Sequence, residues 1–288
     1  MAMKVLTTGV SNPEGPISLP DGSWIFTEMD IGCITLLKKD GERQHITKTP
    51  LPNGLALGKD GRIWAADADE PALFVVTMEG NTIKFSSGSE ENPFLLPNDL
   101  CFGPDGMLYM TCSGIHRSEF KKTSSPLDAY DLHFDGKLFK IDPVSGECEV
   151  LDRGFRLTNG IAFGPGGEYL YVAETLSGNI FRYKYGVWQR EYFGSVMLKP
   201  PREYGRVAGP DGMAFDCEGN LYVAVIAQDI TVLDSSGKMT DHIILPGKNP
   251  TNLAFDSGGG NFLMVTEAER NELLIVETDL PGLPLYQD

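Results

Sequence analysis

The sequence predicts an all-β chain folded as a six-bladed β-propeller, a single domain over residues 1–288. Three observations predict it. A turn glycine followed by a short apolar strand recurs six times. A polar residue stands eight positions ahead of that glycine each time. No long stretch shows the 3.6-residue periodicity of an amphipathic helix.

Each of the six turn segments places a glycine just ahead of an apolar strand. They are Pro20-Asp21-Gly22-Ser23-Trp24-Ile25-Phe26, Lys59-Asp60-Gly61-Arg62-Ile63-Trp64-Ala65 and Pro104-Asp105-Gly106-Met107-Leu108-Tyr109-Met110. Gly166-Gly167-Glu168-Tyr169-Leu170-Tyr171-Val172, Cys217-Glu218-Gly219-Asn220-Leu221-Tyr222-Val223 and Gly258-Gly259-Gly260-Asn261-Phe262-Leu263-Met264 complete the set. Asp-Gly and Gly-Gly between apolar runs signal hairpins, because glycine takes positive φ without steric cost.

A second element lies upstream of each turn. It begins at Glu14, Asn53, Asn98, Asn159, Asp211 and Thr251, eight residues ahead of Gly22, Gly61, Gly106, Gly167, Gly219 and Gly259. Small and apolar residues follow, as in Asn159-Gly160-Ile161-Ala162-Phe163, which suits a tightly packed inner strand. Further strands such as Ala72-Leu73-Phe74-Val75-Val76 and Gly136-Lys137-Leu138-Phe139-Lys140-Ile141 come after the turns. Two or more hairpins per repeat of roughly 40–50 residues match a propeller blade. Ring closure is expected from pairing of Lys4-Val5-Leu6-Thr7 beside Leu273-Leu274-Ile275-Val276. Two insertions, about 113–135 and 197–209, interrupt the even spacing and are candidate lids.

Composition bounds the partners. The hydrophobic fraction of 41% supports a folded core. A net charge of −16 argues against nucleic acid or an anionic membrane, both of which need a positive field. No run approaches the ~18 apolar residues of a membrane span, and the N-terminal Met-Ala-Met-Lys-Val-Leu-Thr-Thr-Gly has no apolar leader region. Cys33, Cys101, Cys112, Cys148 and Cys217 are odd in number and lack a C-x-x-C pair. Reduced thiols in a cytoplasmic protein are therefore expected, each buried beside an apolar run.

The chemistry follows from the repeat. Innermost strands line the central channel of a propeller. Equivalent positions in six blades therefore form a ring of Glu14, Asn53, Asn98, Asn159, Asp211 and Thr251. Its donors are oxygens and amides, with no Cys, His, Lys or Arg, which suits a hard divalent cation. Two inward carboxylates would repel one another without a cation or proton between them. Asn-Gly and Asp-Gly are also ordinary turn pairs, and one such pair would need no further explanation. Six in register, led by Glu14, favour a metal site. No G-x-S-x-G elbow is present, and His45, His116, His133 and His242 lack metal-ligand spacing.

Taken together, Pro13-Glu14-Gly15-Pro16, Pro97-Asn98-Asp99, Thr158-Asn159-Gly160-Ile161-Ala162-Phe163 and Pro210-Asp211-Gly212-Met213-Ala214-Phe215-Asp216 resemble the SMP-30/gluconolactonase/luciferin-regenerating-enzyme family. Val172-Ala173-Glu174-Thr175 and Pro281-Gly282-Leu283-Pro284-Leu285 fit the same resemblance, which spans essentially the whole chain. It implies one divalent cation in the channel, with Ca²⁺ ahead of Zn²⁺, Mn²⁺, Mg²⁺ and Fe²⁺, and hydrolysis of a small-molecule lactone. Residue by residue, it implies Glu14, Asn159 and Asp211 as metal ligands, Asp211 also as general base, and Asn98 as a substrate contact.

The substrate side departs from that pattern. Sugar-lactonase members often carry Arg two residues before the substrate-facing Asn, where this chain has Leu96. His116 falls near a position that is Glu in animal members, and is a candidate substrate contact. A lactone or ester less polar than an aldonolactone thus enters consideration. The stretch Asp135-Gly136-Lys137-Leu138-Phe139-Lys140-Ile141-Asp142-Pro143, with Leu157-Thr158-Asn159-Gly160 and Glu174-Thr175, also resembles strictosidine-synthase-like propellers. The Glu14, Asn159 and Asp211 set favours the lactonase side. A non-enzymatic binding propeller would need no such ring.

Overall fold

The recurring glycines all turn the chain in the left-handed region, with φ from +68° at Gly167 to +87° at Gly219. An Asp or Gly precedes five of them and Glu218 the sixth, Gly219. At Asp21, Asp60 and Asp105 the carboxylate also accepts the N–H two residues on, at 2.9, 3.0 and 3.2 Å. Each reversal joins an inner strand to the next strand outward. A computed structural model describes residues 2–287, and these hairpins extend there into six four-stranded antiparallel sheets.

Blade 1 is representative, with strands Pro13–Ser18, Trp24–Glu28, Cys33–Leu37 and Arg43–Lys48 in sequential order. The inner strands of blades 2 to 5 are Pro52–Leu57, Pro97–Phe102, Thr158–Phe163 and Gly209–Phe215. Blade 6 holds Pro250–Phe255, Phe262–Glu267 and Glu272–Glu277, and takes Met3–Thr8 as its outermost strand. The expected closure is observed, with Lys4 opposite Ile275 and Val5 opposite Leu274.

Middle strands are buried on both faces because every blade packs against two neighbours. Six apolar seams result. Trp64 of blade 2 meets Phe102 and Met110 of blade 3 in one, and Trp24 of blade 1 meets Met264 of blade 6 in another. Threonines add polar ties across the seams. Thr27 Oγ1 donates to the Asn53 carbonyl at 3.0 Å, and Thr111 Oγ1 to the Asn159 carbonyl at 2.6 Å. Thr251 Oγ1 reaches the Pro13 carbonyl at 2.6 Å, tying blade 6 to blade 1.

All six inner strands share a ladder irregularity at their start, for example between Glu14 and Ile17, Pro97 and Leu100, and Pro210 and Met213. Such bulges re-aim side chains and are frequent beside functional sites. Pro97 pairs with Cys112, so the 113–135 insertion leaves the sheet at the channel end where Asn98 lies. It contains a short helix, Arg117–Phe120, and a 3₁₀ segment, Pro126–Asp131. The 197–209 insertion, with a 3₁₀ turn over Pro201–Tyr204, leads into the strand bearing Asp211.

All five cysteines are free thiols. The expectation that each is buried holds for Cys33 and Cys112, holds only in part for the half-buried Cys101 and Cys148, and fails for Cys217, which is exposed. Cys217 lies in the Asp216–Asn220 turn, where the Asp216 carboxylate gathers the backbone and leaves the next side chain outward. Among the described residues, no helix is long and apolar enough to cross a membrane.

The N-terminal strand gives the sixth sheet its fourth member. Deleting residues 1–10 should expose the edge of Glu272–Glu277 and remove buried Val10. Thermal melts should show Tm lower by roughly 5–10 °C, the shift expected for a few kcal/mol in a domain of this size. An unchanged Tm would contradict the closure as a source of stability.

Candidate metal and substrate site

The bulged starts of the inner strands bring together most of the residues singled out from the sequence. Glu14, Asn53, Asn159, Asp211 and Thr251 are all buried, between 4% and 7% exposed. Asn98 alone among the six is half-buried. Glu14, Asn159 and Asp211 converge: the Asn159 side chain hydrogen-bonds the Asp211 carboxylate, and the Glu14 charge acts directly on Asp211. Asn159 Nδ2 also donates to Thr175 Oγ1 at 3.1 Å, which fixes the amide plane. Thr251 is committed to the blade 6–blade 1 tie and to Thr266 Oγ1 at 2.7 Å.

Asn98 faces the insertions. Its Nδ2 donates to Ser113 Oγ at 3.4 Å, and Ser113 Oγ donates to the Thr158 carbonyl at 3.0 Å. Blades 3 and 4 are thus linked beside Asn98 and Asn159. His116 is exposed and caps the short helix through its backbone only, without a side-chain cap.

Two channel residues were not assigned from the sequence. One position after the ring, the six blades read Gly15, Gly54, Asp99, Gly160, Gly212 and Asn252. Asp99 and Asn252 fill the space that the glycines vacate. A Cβ on Gly54 would lie 2.4 Å from Asp99 Oδ1, and one on Gly212 would lie 1.9 Å from Asn252 Oδ1. Asn252 Nδ2 donates to Glu14 Oε2 at 3.0 Å, and the same side chain hydrogen-bonds Asp99. The signal was present in the sequence as a departure from four glycines. Strict strand alternation would have turned Asp99 away from the channel, and the bulge between Pro97 and Leu100 overrides that alternation.

Three carboxylates therefore share one buried channel end. Burial is the first cause that raises each, and mutual repulsion adds to it for Glu14 and Asp211. Glu14 is pushed up to about 8 and Asp99 to about 6. Asp211 is held well above the usual carboxylate range. Amides and backbone N–H groups offset this only in part: Gly15 N–H donates to Glu14 at 2.7 Å, and Leu100 N–H to Asp99 at 2.9 Å. Among the described residues, no lysine or arginine is paired with these three carboxylates.

Among the described residues no three His, Cys, Asp or Glu side chains are drawn together into a ready-made metal-ligand group. The expected set needs only two carboxylates with the Asn159 amide, and its side chains are engaged with one another and with Asn252 and Thr175. The donor chemistry, anionic and oxygen-rich with no compensating side-chain cation among the described residues, fits a hard divalent ion.

The mouth above the ring is built by the insertions. Tyr130 Oη accepts the Ala208 N–H at 3.1 Å and reaches the Arg206 carbonyl at 3.3 Å. Arg202 pairs with Asp131 and lies over the Tyr130 ring, 5.1 Å from its centroid. On the other side, Arg117 pairs with Asp69 of blade 2 at 2.7 Å. Two residues ahead of their ring asparagines, Leu96 and Leu157 take φ of +54° and +65°. Such backbone costs a leucine on the order of 1 kcal/mol, and such strain clusters at ligand sites.

Residues 12–269 match the model of the SMP-30/gluconolactonase/LRE-like region, and the chain belongs to this family. A gluconolactonase of Zymomonas mobilis is 25% identical over 245 residues, covering 77% of this chain and 67% of that protein. A lactonase drp35 of Staphylococcus epidermidis is 24% identical over 242 residues, covering 80% and 66%. Two further curated relatives, an uncharacterized protein of Sulfolobus acidocaldarius and a 6-deoxy-6-sulfogluconolactonase of Pseudomonas putida, are matched over about half of their length. A calcium-binding regucalcin of Agrobacterium tumefaciens shares the fold, with a TM-score of 0.81, 20% identity, and 100% and 98% of the two chains covered.

Because the folded-state values of Glu14 and Asp99 lie above their ordinary 4.5 and 3.8, protonation stabilises the metal-free fold. That stabilisation is complete below the ordinary values. It is lost as pH rises through about 6 for Asp99 and about 8 for Glu14. Chelator-treated protein should therefore melt at progressively lower temperature from pH 5 to pH 9, roughly the window of those shifts. Glu14→Gln should flatten the trend, and saturating Ca²⁺ should offset it. A metal-free Tm that rises across the same window would contradict the assignment.

Proposed function

We propose that the protein is a lactonase that depends on a divalent cation, Ca²⁺ foremost. The supporting observation is the buried trio of Glu14, Asp99 and Asp211 beside Asn98 and Asn159, with no side-chain cation among the described residues paired to it. Membership of a family that includes gluconolactonase and lactonase drp35 relatives supports the same reading. Glu14, Asn159 and Asp211 would hold the ion. When bound, a divalent cation polarises a lactone carbonyl and offsets the charge of a tetrahedral centre.

The chain's own residues do the rest. Asp211 acts as general base and takes a proton from the attacking water. Its raised proton affinity suits it to that step. The water oxygen adds to the carbonyl carbon, the ring C–O bond breaks, and the proton passes to the departing alkoxide, giving a hydroxy acid. Asn98, half-buried and tied to Ser113, presents its amide to the substrate oxygens. His116, exposed at the lid, contacts a substrate only at its outer end. The free thiols fit a cytoplasmic setting.

Acid release from a lactone panel, followed with and without EDTA, tests the reading. Glu14→Ala and Asp211→Ala should each reduce cation-dependent hydrolysis by at least about 100-fold, the range of a lost general base. Asn98→Ala should lower kcat/KM by about tenfold, the worth of a substrate hydrogen bond. Full activity of either acidic variant after metal stripping and refilling would sink the mechanism. Wild-type protein that purifies without metal and opens no lactone would favour a binding propeller instead.

A further inference from the structure

The mouth of the channel is two-sided. Two residues ahead of the ring, the six blades read Asn12, Leu51, Leu96, Leu157, Gly209 and Asn249 around the axis. Leucines occupy three consecutive blades, and asparagines occupy the adjoining blades 6 and 1. The asparagine side carries polar contacts. Asn12 N–H donates to Asn271 Oδ1 at 3.1 Å, and Arg206 Nη2 donates to Asn249 Oδ1 at 2.9 Å.

The leucine side continues into the insertions. Leu96 and Leu157 join a cluster whose buried members are Ile115, Tyr130, Phe134 and Leu176. Phe120, Leu127, Leu132 and Val207 pack on it while remaining only partly buried. This apolar wall adjoins three ring residues directly in sequence: Leu96 precedes Asn98 by two, Leu157 precedes Asn159 by two, and Val207 precedes Asp211 by four. The backbone holds Leu96 in a conformation that asparagine or glycine adopts more readily. A side chain kept at a strained position, apolar and half-exposed beside a substrate-facing amide, marks a contact surface.

We propose that the preferred substrate is a lactone bearing a hydrocarbon substituent, which lies against this wall while the ester group meets the carboxylate and amide ring. The inference rests on the hydrolysis reading above and narrows it. A polyhydroxylated lactone would bring hydroxyls against Leu96, Phe120 and Val207, where they would lose water without gaining partners. A hydrocarbon chain loses nothing there.

The test compares δ-valerolactone, a series of δ-lactones with lengthening alkyl substituents, and glucono-δ-lactone, using Ca²⁺-loaded enzyme. The expected result is a kcat/KM that rises about two- to fourfold per methylene over the first few methylenes, the value of burying each on an apolar surface. Glucono-δ-lactone should be the poorest of the set. Leu96→Asn should relieve the backbone strain and keep or raise Tm, while lowering the ratio of long-chain to unsubstituted kcat/KM by about tenfold. Val207→Thr, of similar shape, should lower that ratio in the same direction. A flat chain-length series, or preference for glucono-δ-lactone, would overturn this inference and leave the hydrolysis reading intact. If no lactone is opened, the hydrolysis reading falls, and calorimetric binding of alkyl-substituted δ-lactams decides the wall. Affinity that rises with chain length supports it, and absence of binding overturns it.

Discussion

Glu14, Asp99 and Asp211 are carboxylates taken out of water at one end of a narrow channel, and their repulsion is the constraint around which this site is organised. Burying even one carboxylate costs several kcal/mol without compensation. Asn252 and Asn159 supply amide donors, and Gly15 and Leu100 supply backbone N–H groups. None of these carries a full positive charge. The channel must therefore hold protons or a cation, and the choice between them varies with pH and metal supply.

The propeller makes this arrangement tolerable. Six apolar seams and the closure by Met3–Thr8 fix the blades, so the inner strands cannot splay to relieve the repulsion. Threonine ties from Thr27, Thr111 and Thr251 act on the backbone beside the ring itself. The bulges then aim consecutive residues inward, which an ideal strand cannot do. Above them, Tyr130 of the first insertion joins Ala208 and Arg206 of the second, which leads into the Asp211 strand, so both insertions and the proposed base share one support.

Much of this was legible in the sequence because it repeats. Glycine at positive φ forced the six turns, and a fixed interval of eight residues located the ring of Glu14, Asn53, Asn98, Asn159, Asp211 and Thr251, from which the family resemblance singled out Glu14, Asn159 and Asp211. The pairing of Lys4 with Ile275 followed from the need to close a ring. Asp99 and Asn252 escaped because alternation in a regular strand predicts the wrong face for them. Thr251 was counted with the ring, yet its hydroxyl serves the join to blade 1. The wall of Leu96, Phe120 and Val207 was only half visible, since its members come from two insertions with no repeat to align them. His116 stands exposed and makes no side-chain cap bond to the short helix that follows it.

The central claim is that these acids exchange protons for one divalent cation. Calorimetric titration of chelator-treated protein with Ca²⁺ at pH 7, repeated in buffers of different ionisation enthalpy, counts the protons displaced. The account predicts one site per chain and release of protons as the ion binds, because burial and mutual repulsion raise the proton affinity of Glu14 and Asp211 in its absence. Release should vanish in Glu14→Gln combined with Asp211→Asn. Tight binding without proton release, or no binding, would contradict it.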